Sequence, residues 1–277
     1  MYTNEYTGSV VIPASVTYNG ITYSVTSIGD SAFRDCSGLA SVVIPDSVEI
    51  IGVYAFYNCD GLTSVVIGNS VTSIGNSAFA YCYGLTSVEF NAENCTTMGS
   101  SSYPVFGGCA ALSSVTIGEN VRTIPAYAFW GCVGLTSIVI PNSVTSIGDF
   151  AFYYCSSVES LYIGNSIESI GGHVFSFCDN IMEIKIASKK AVAASEDVFS
   201  SDTYNNACLY VPEGRKFAYE RTTPWNNFYI VEMDFTDIDD VKDENGEVET
   251  IYDLNGRAVE NPSNGIYIIN GKKVLVR

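Results

Sequence analysis

Apolar side chains return along most of the chain with a spacing of 23 residues. A phenylalanine, a cysteine and an aliphatic residue follow one another at intervals of three in each period. The phenylalanines are Phe33, Phe56, Phe79, Phe106, Phe129, Phe152 and Phe175; the cysteines are Cys36, Cys59, Cys82, Cys109, Cys132, Cys155 and Cys178. The aliphatic residues are Leu39, Leu62, Leu85, Leu112, Leu135, Val158 and Ile181. A fixed period of this length predicts a repeat solenoid, in which neighbouring coils bury a shared core.

Each period contains a strand, a bend and a closing segment. In the second coil, Val65 and Ile67 are placed to face the core and Val66 to face outward, which is the alternation of a strand. Stacked coils then form a parallel β-sheet of eight or nine strands on one face. The Ile-Gly-x-x-Ala-Phe segment that closes the coil is too short for a stable α-helix, so we predict short helical turns or loops on the other face.

Departures from the period define the ends of the solenoid. Segment 91–105 is four residues longer than its counterpart in the preceding coil, which predicts a bulge. The eighth unit, around Phe199 and residues 209–212, is degenerate and is typical of a terminal cap. Residues 215–221 with Trp225, Phe228 and Ile230 are expected to shield the last strand. We therefore assign residues 1–231 to a repeat solenoid with terminal caps.

The remaining residues have a different composition. Residues 232–249 contain nine acidic residues and one basic residue, which predicts a solvated acidic linker. A calcium loop would require other residues at Val241 and Tyr252, so we predict no metal site there. Beyond it, Asn255-Gly256 and Asn270-Gly271 separate short apolar runs, and Asn-Gly is a strong hairpin signal. Residues 250–277 are predicted to form a short β-hairpin tail.

Charge and motifs exclude several classes of function. The net charge is −17, and residues 1–186 contain only Arg34, Arg122 and Lys185 as basic residues, which opposes nucleic-acid binding. No run of 18 apolar residues predicts a membrane span. His173 is the single histidine and occupies a variable position of the repeat, so we predict it at the surface. Common hydrolase, phosphate-loop and dinucleotide motifs are absent. We predict a non-catalytic protein without a cofactor.

The nine cysteines fit packing better than a disulfide or metal array. The seven periodic cysteines take one place in each coil beside a phenylalanine, and none forms a C-x-x-C pair. Parallel side chains in a ladder do not point at one another as a disulfide requires. Cys95 also aligns with a core position. Cys208 aligns with the outward side of its strand, so we predict it to be the most accessible thiol.

We predict that the protein binds its target through the repeat face, on which two surfaces are candidates. The first, which we call the strand face, is the outward strand column Val43, Val66, Glu89, Thr116, Val139, Tyr162 and Lys185. It is nearly uncharged in an acidic protein, although valine also suits a strand for conformational reasons alone. The second, the aromatic patch, consists of Tyr127 and Phe150 in one column and Trp130 and Tyr153 in another. These rings could stack on a sugar or a partner's aromatic residues, or could only cover the outer wall of the coil.

The repeat unit I-P-x-x-V-x-x-I-G-x-x-A-F-x-x-C-x-x-L resembles that of BspA-like bacterial surface leucine-rich repeat proteins, from about Val10 to about Val211. This resemblance implies an extracellular or cell-surface protein that adheres to host matrix proteins, glycans or other cells. The corresponding export signal is expected outside the present sequence. The pattern of residues 251–257 and 265–273 is similar to type IX secretion sorting modules. The alternatives are a scaffold with no ligand of its own and a carboxylate-based glycan hydrolase.

Overall fold

The computed structural model describes residues 6–235 and four short strands nearer the C-terminus. The chain divides into two compact units, Met1–Glu232 and Met233–Arg277. The first unit is the repeat solenoid. The predicted acidic linker falls largely on residues 236–250, which lie outside the described residues.

Each coil contributes one strand to a parallel β-structure on one face, as predicted. Within each sheet, consecutive repeat strands pair in parallel and in register, so Val43 lies beside Val66 and Ser41 beside Ser64. The strands fall into two five-stranded sheets. The first contains Gly8–Val11, Leu39–Ile44, Ser64–Ile67, Ser87–Phe90 and Ser114–Ile117; the second contains Ser137–Ile140, Ser160–Ile163, Glu183–Ile186, Cys208–Pro212 and Tyr229–Met233.

A second, narrow ladder lies after the bend of each coil. Its strands have only two residues each, and they also pair in parallel with the next coil. One group comprises Ser27–Ile28, Ile50–Ile51, Ser73–Ile74 and Thr97–Met98; the other comprises Thr123–Ile124, Ser146–Ile147 and Ser169–Ile170. The sequence did not predict this ladder, because two residues are too few to show an alternating pattern.

The closing segment is a series of turns rather than a helix. Tyr54 and Asn58 have φ values of 56° and 58°, which interrupt any right-handed helix between them. The amide of Phe56 donates to the carbonyl of Ala78 in the next coil, at 2.7 Å. Alternate amides of the segment therefore bond outward to a neighbouring coil, where a helix would bond them internally. The sequence predicted either short helical turns or loops on this face, and the structure has loops.

The core is a column of stacked phenylalanine rings with a parallel column of thiols. Phe33, Phe56 and Phe79 stack with ring centroids 4.9 Å apart and nearly parallel planes. The thiol of Cys59 donates to the carbonyl of Phe33 in the preceding coil, with Sγ and oxygen 3.0 Å apart. Cys82, Cys109, Cys155 and Cys178 make the same bond. The periodic cysteines are buried and unpaired, so the packing prediction is confirmed.

The glycine of the Ile-Gly motif is required by the close approach of consecutive coils. A Cβ atom on Gly148 would lie 2.4 Å from the amide nitrogen of Ala126, and one on Gly75 would lie 2.6 Å from that of Val53. Both contacts are with backbone, which cannot swing aside. The matching residue of the first coil, Gly29, has no atom within 4 Å of such a Cβ, because no coil precedes it at that point.

The hydrogen-bonded stack is interrupted for one turn after the bulge. Within residues 6–235, backbone pairing between coils is missing where segment 97–117 passes segment 123–140. The thiol of Cys132 also does not donate to the carbonyl of Phe106, although the thiols of Cys109 and Cys155 donate to the matching phenylalanine carbonyls of their preceding coils. The apolar core stays continuous, since Phe106 and Phe129 still stack at 5.8 Å. The longer segment 91–105 changes the path of one coil, so the next coil cannot match it along its whole length.

Short helices and a strand cap the C-terminal end of the solenoid. The helices are Ser201–Asn206 and Lys216–Tyr219, and Glu196–Val198 and Trp225–Asn227 are 3-10 turns. Trp225 is buried and its indole nitrogen donates to the carbonyl of Val192 at 2.7 Å. Phe228 packs edge-on against Phe199. These contacts place apolar side chains over the end of the core.

Two antiparallel β-structures lie outside the repeat strands. Near the N-terminus, Ser15–Tyr18 and Ile21–Ser24 form an antiparallel hairpin. In the second unit, Ile251–Tyr252, Ala258–Val259, Gly265–Ile269 and Lys272–Val276 form an antiparallel four-stranded sheet. Among the described residues, no helix has the length and apolar character needed to cross a bilayer.

The glycine contacts predict a position-dependent effect of one added methyl group. Gly148→Ala should lower the free energy of unfolding by about 1–3 kcal/mol, because the backbone of two coils must move apart. Gly29→Ala is the matched control and should change stability by less than about 0.5 kcal/mol. Chemical denaturation of the two variants measures the difference, and equal stabilities would show that coil spacing does not depend on this glycine.

The thiols should react in an order set by burial. Burial raises the pKa of the Cys132 thiol to about 12 and that of Cys95 to about 11, so few thiolates form at these sites near neutral pH. Cys208 is only partly buried, whereas the other eight cysteines are buried. Iodoacetamide at pH 8 followed by peptide mass spectrometry should label Cys208 first. Labelling of the periodic cysteines at the same rate in native protein would contradict the packed thiol column.

Candidate functional site

The structure places the strand-face residues on both of the five-stranded sheets. Val43, Val66, Glu89 and Thr116 lie on the first sheet, and Val139, Tyr162 and Lys185 lie on the second. The predicted column therefore spans the interruption after the bulge instead of one continuous sheet. Val139 is 56 % exposed and Val43 is 37 % exposed.

Charge is sparse along the strand face, and much of it is internally balanced. The Lys185 ammonium lies 3.1 Å from the Glu183 carboxylate on the same strand. Glu89 accepts a hydrogen bond from the side-chain amide of Asn91. Tyr210 extends the column by one strand, in register with Lys185. The face is thus a flat, mainly neutral surface.

The four residues of the aromatic patch contact one another directly. Tyr127 stacks on Phe150 with centroids 5.4 Å apart and planes 5° from parallel. Trp130 stacks on Tyr153 with centroids 4.2 Å apart. Tyr127 and Phe150 have φ values of 62° and 58°, so their side chains leave the coil from its closing turns. All four rings are half-buried, which leaves part of each ring accessible.

The patch continues into the next coil through residues that sequence analysis did not include. His173 stacks on Phe150 with centroids 4.9 Å apart, and Phe177 meets Tyr153 edge-on at 5.2 Å. Phe177 is 47 % exposed. His173 belongs to the column of Tyr127 and Phe150, so column alignment alone could have extended the patch to it. The predicted surface position of His173 is only partly right, because its side chain also lines a cleft.

A cleft opens where the second column of rings ends. Ser176 occupies the position that Trp130 and Tyr153 fill in the two preceding coils. The serine is too small to continue the stack, and a cleft of about 380 Å³ lies beside it. Its lining residues are Phe150, Tyr153, His173, Ser176, Phe177, Asp197, Phe199 and Ser200.

The polar wall of the cleft is held in place by several hydrogen bonds. The His173 ring has Nε2 3.3 Å from an Asp197 carboxylate oxygen and Nδ1 3.3 Å from the Ser176 hydroxyl. The other Asp197 carboxylate oxygen accepts from the His173 amide at 3.3 Å. On the far side, Ser200 donates to the carboxylate of Asp179. The imidazole, carboxylate and hydroxyl groups are thus fixed before any ligand arrives.

This serine, histidine and aspartate do not form a nucleophilic site. The Ser176 hydroxyl donates to the backbone carbonyl of Asp197 at 2.6 Å, so its proton is not directed to the histidine. Ser176 is also only 5 % exposed, which keeps its oxygen away from an approaching substrate. The arrangement instead resembles a small binding site, with ring faces on one wall and polar groups on another.

Metal binding finds no support in the part of the chain that the structure describes. It contains no group of three histidine, cysteine or carboxylate side chains that could hold an ion. The acidic residues of 236–249, from which the sequence predicted no calcium loop, lie outside the described residues.

Comparison with known proteins agrees with the coil geometry. The model of the BspA type leucine rich repeat region matches residues 13–105 and 102–206. A leucine rich cell surface protein from Faecalibacterium prausnitzii A2-165 is 34 % identical, with a TM-score of 0.51 over 68 % of this chain and 51 % of that structure. A leucine-rich repeat protein from Bacteroides ovatus is 26 % identical, with a TM-score of 0.42 over 73 % and 63 % of the two chains.

The chain therefore spans about half the length of the Faecalibacterium structure. No curated protein matches it. The family match covers all seven clear repeats and most of the degenerate eighth, which are the residues that form the stacked coils. The chain belongs to the BspA-type leucine-rich repeat family.

Proposed function

We propose that this protein is a non-catalytic binding protein, secreted or held at a bacterial cell surface, that attaches to a macromolecule through the aromatic patch. The target classes are host matrix proteins, glycans and the surfaces of other cells. The family supports a repeat protein that presents a surface, and one relative in it is described as a cell surface protein. The proposal adds to this that the protein is extracellular and that it attaches to a target.

One observation carries the choice of surface. Tyr127, Trp130, Phe150 and Tyr153 form a continuous cluster of contacting rings on the outside of the solenoid. Ring clusters of this kind are costly to expose, and aromatic residues dominate the energetics of binding surfaces. Because the rings stack on one another, they lose little conformational freedom when a partner binds.

The strand face is a second candidate, supported by a different observation. Val139 is more than half exposed in a sheet whose outward column carries little net charge, although the protein as a whole carries −17. Flat sheets of solenoids serve as extended recognition surfaces. Valine is also common in strands without any binding role, so the strand face ranks below the aromatic patch.

Two other roles predict different behaviour. A scaffold would bind none of the target classes, and it would use the solenoid only to space other segments. A glycan hydrolase would release product from an oligosaccharide. The carboxylate that lines the cleft, Asp197, lies 3.3 Å from the His173 ring. This contact favours the ionised carboxylate, which can bind a hydroxyl but cannot act as a general acid. A role of residues 251–273 in type IX export remains part of the proposal.

The proposal is tested by solid-phase binding of the whole chain to a panel of matrix proteins and to a glycan array. Trp130→Ala should weaken binding about tenfold or more, because it removes the ring in closest stacking contact with Tyr153. Tyr83→Ala is the matched control: Tyr83 is an exposed ring, 55 % accessible, outside the aromatic patch. Its loss should leave binding unchanged.

Strand-face variants separate the two surfaces. Val139→Asp and Tyr162→Ala should leave binding within about twofold if the aromatic patch is the binding surface. A loss of binding in these variants, with Trp130→Ala unaffected, would transfer the function to the strand face. Absence of any bound target would favour the scaffold, and release of sugar from a glycan would contradict the non-catalytic assignment.

A further inference from the structure

At the cleft beside Ser176, the column of Trp130 and Tyr153 ends and leaves one face of Tyr153 without a stacked ring. Tyr153 has Trp130 stacked on one side, with planes 22° apart. On its other side the next residue of the column is Ser176, and Phe177 approaches only edge-on, at 70°. A flat or chair-shaped ring placed in the cleft would therefore continue the stack of Trp130 and Tyr153.

The size of the cleft limits the ligand. Its volume of about 380 Å³ is near the lower end of the range for small-molecule sites, roughly 300–1,000 Å³. It is formed by three successive coils, with Phe150 and Tyr153 from one, His173 and Phe177 from the next, and Asp197 from the degenerate unit. One or two rings fit such a space, and a longer chain could leave through its open side.

The polar wall indicates the chemical class. It offers the partly exposed Asp197 carboxylate, whose oxygens contact nitrogens of His173 and keep further lone pairs that can accept from a ligand hydroxyl. Sugar hydroxyls are such donors, and the C–H face of a pyranose matches the negative face of an aromatic ring. A partner's phenylalanine ring would bring no hydroxyl group to this wall.

Charge disfavours the other ligand classes. An anionic sugar would meet Asp197 and Asp179 in a protein of net charge −17. A quaternary ammonium ion could lie against the ring faces, but it has no hydrogen-bond donor to pair with the Asp197 carboxylate. A neutral sugar is therefore the ligand that the rings and the polar wall fit together.

We propose that this cleft binds one neutral pyranose unit of a glycan, with the sugar stacked on Tyr153 and donating a hydrogen bond to Asp197. This inference rests on the proposed binding function and assigns a saccharide to one end of the aromatic patch. His173 holds the Asp197 carboxylate that positions the sugar hydroxyls, and Phe177 closes the side of the cleft at its exposed edge.

The test titrates the whole chain with the methyl glycosides of glucose, galactose and mannose and with N-acetylglucosamine. Binding is followed by saturation-transfer NMR and by tryptophan fluorescence, since Trp130 stacks on Tyr153. At least one of the four sugars should bind with a Kd on the order of 1 mM, as expected for a ligand of about a dozen heavy atoms. The fluorescence change should disappear in Trp130→Phe.

Two variants act on the cleft in different ways. Ser176→Tyr restores the third ring of the column and should abolish sugar binding by filling the cleft. Asp197→Asn keeps the size of the side chain, removes its charge and should weaken binding at least fivefold. Tyr83→Ala is again the control and should bind the sugar as the unchanged protein does. Far-ultraviolet circular dichroism and the thermal midpoint establish that each variant is folded.

Each outcome has a definite meaning. Sugar binding that survives in Ser176→Tyr would place the ligand elsewhere and overturn the inference. Binding of choline in place of all four sugars would overturn it in favour of a cation site. If no sugar binds and Trp130→Ala still lowers attachment to a matrix protein or glycan array, the cleft assignment fails and the proposed function stands. If neither effect is seen, both fail.

Discussion

Backbone hydrogen bonding from one coil to the next is the constraint on which this structure depends. A 23-residue coil has no helix or hairpin to satisfy its own amides, so its strand, its narrow ladder and its closing turns all bond to neighbouring coils. A single coil also cannot bury its phenylalanine and leucine alone. Consecutive coils must therefore keep one spacing and one shape, and the period of the sequence follows from that requirement.

The same constraint explains why the interior of the repeat is uniform. Gly148 is needed because two backbones approach too closely for a Cβ atom. Cysteine fits beside phenylalanine because it is small and its thiol can donate to a carbonyl of the coil before it. Any change in the length of a coil disturbs these contacts, and the interruption after segment 91–105 is the result. The continuous phenylalanine column keeps both sides of that interruption in one core.

Outward positions are free of this constraint, and they vary from coil to coil. Stacking converts a repeated position into a column, so residues 23 apart in sequence become neighbours in space. Tyr127 and Phe150 meet for this reason, as do Trp130 and Tyr153. A change of residue size within a column then produces a depression in the surface. Ser176 follows the large rings of Trp130 and Tyr153 in its column, and a cleft lies beside it. The candidate binding site thus arises from variation imposed on a regular frame.

The features that depend on the period could be predicted from the sequence, and the others could not. Phe33 and Cys36 define the core because they recur, and the four rings of the aromatic patch could be paired by counting residues. Asp197 could not be placed beside His173, because it lies in the degenerate eighth unit, where no repeat position can be assigned. The narrow ladder was missed because a two-residue strand such as Ser73–Ile74 has no alternation to detect.

The interruption of the stack was also beyond sequence analysis. The bulge in segment 91–105 was predicted from its length, but its effect appears one coil later, in the missing pairing between Ser114–Ile117 and Ser137–Ile140. That effect depends on how two backbones adjust to each other in three dimensions.

Hydrogen exchange measured peptide by peptide tests the central claim, that pairing between coils holds the backbone. The amide of Glu159 bonds to Thr136 of the preceding coil, and that of Thr86 bonds to Thr63, whereas strand Ser137–Ile140 pairs only with Ser160–Ile163, on the side away from the interruption. We expect the amides of peptide 136–140 that face the interruption to exchange about tenfold faster or more than the amides of peptides 159–163 and 86–90. Equal protection of all three would show that the backbone is held by something other than pairing between coils, and would contradict the account.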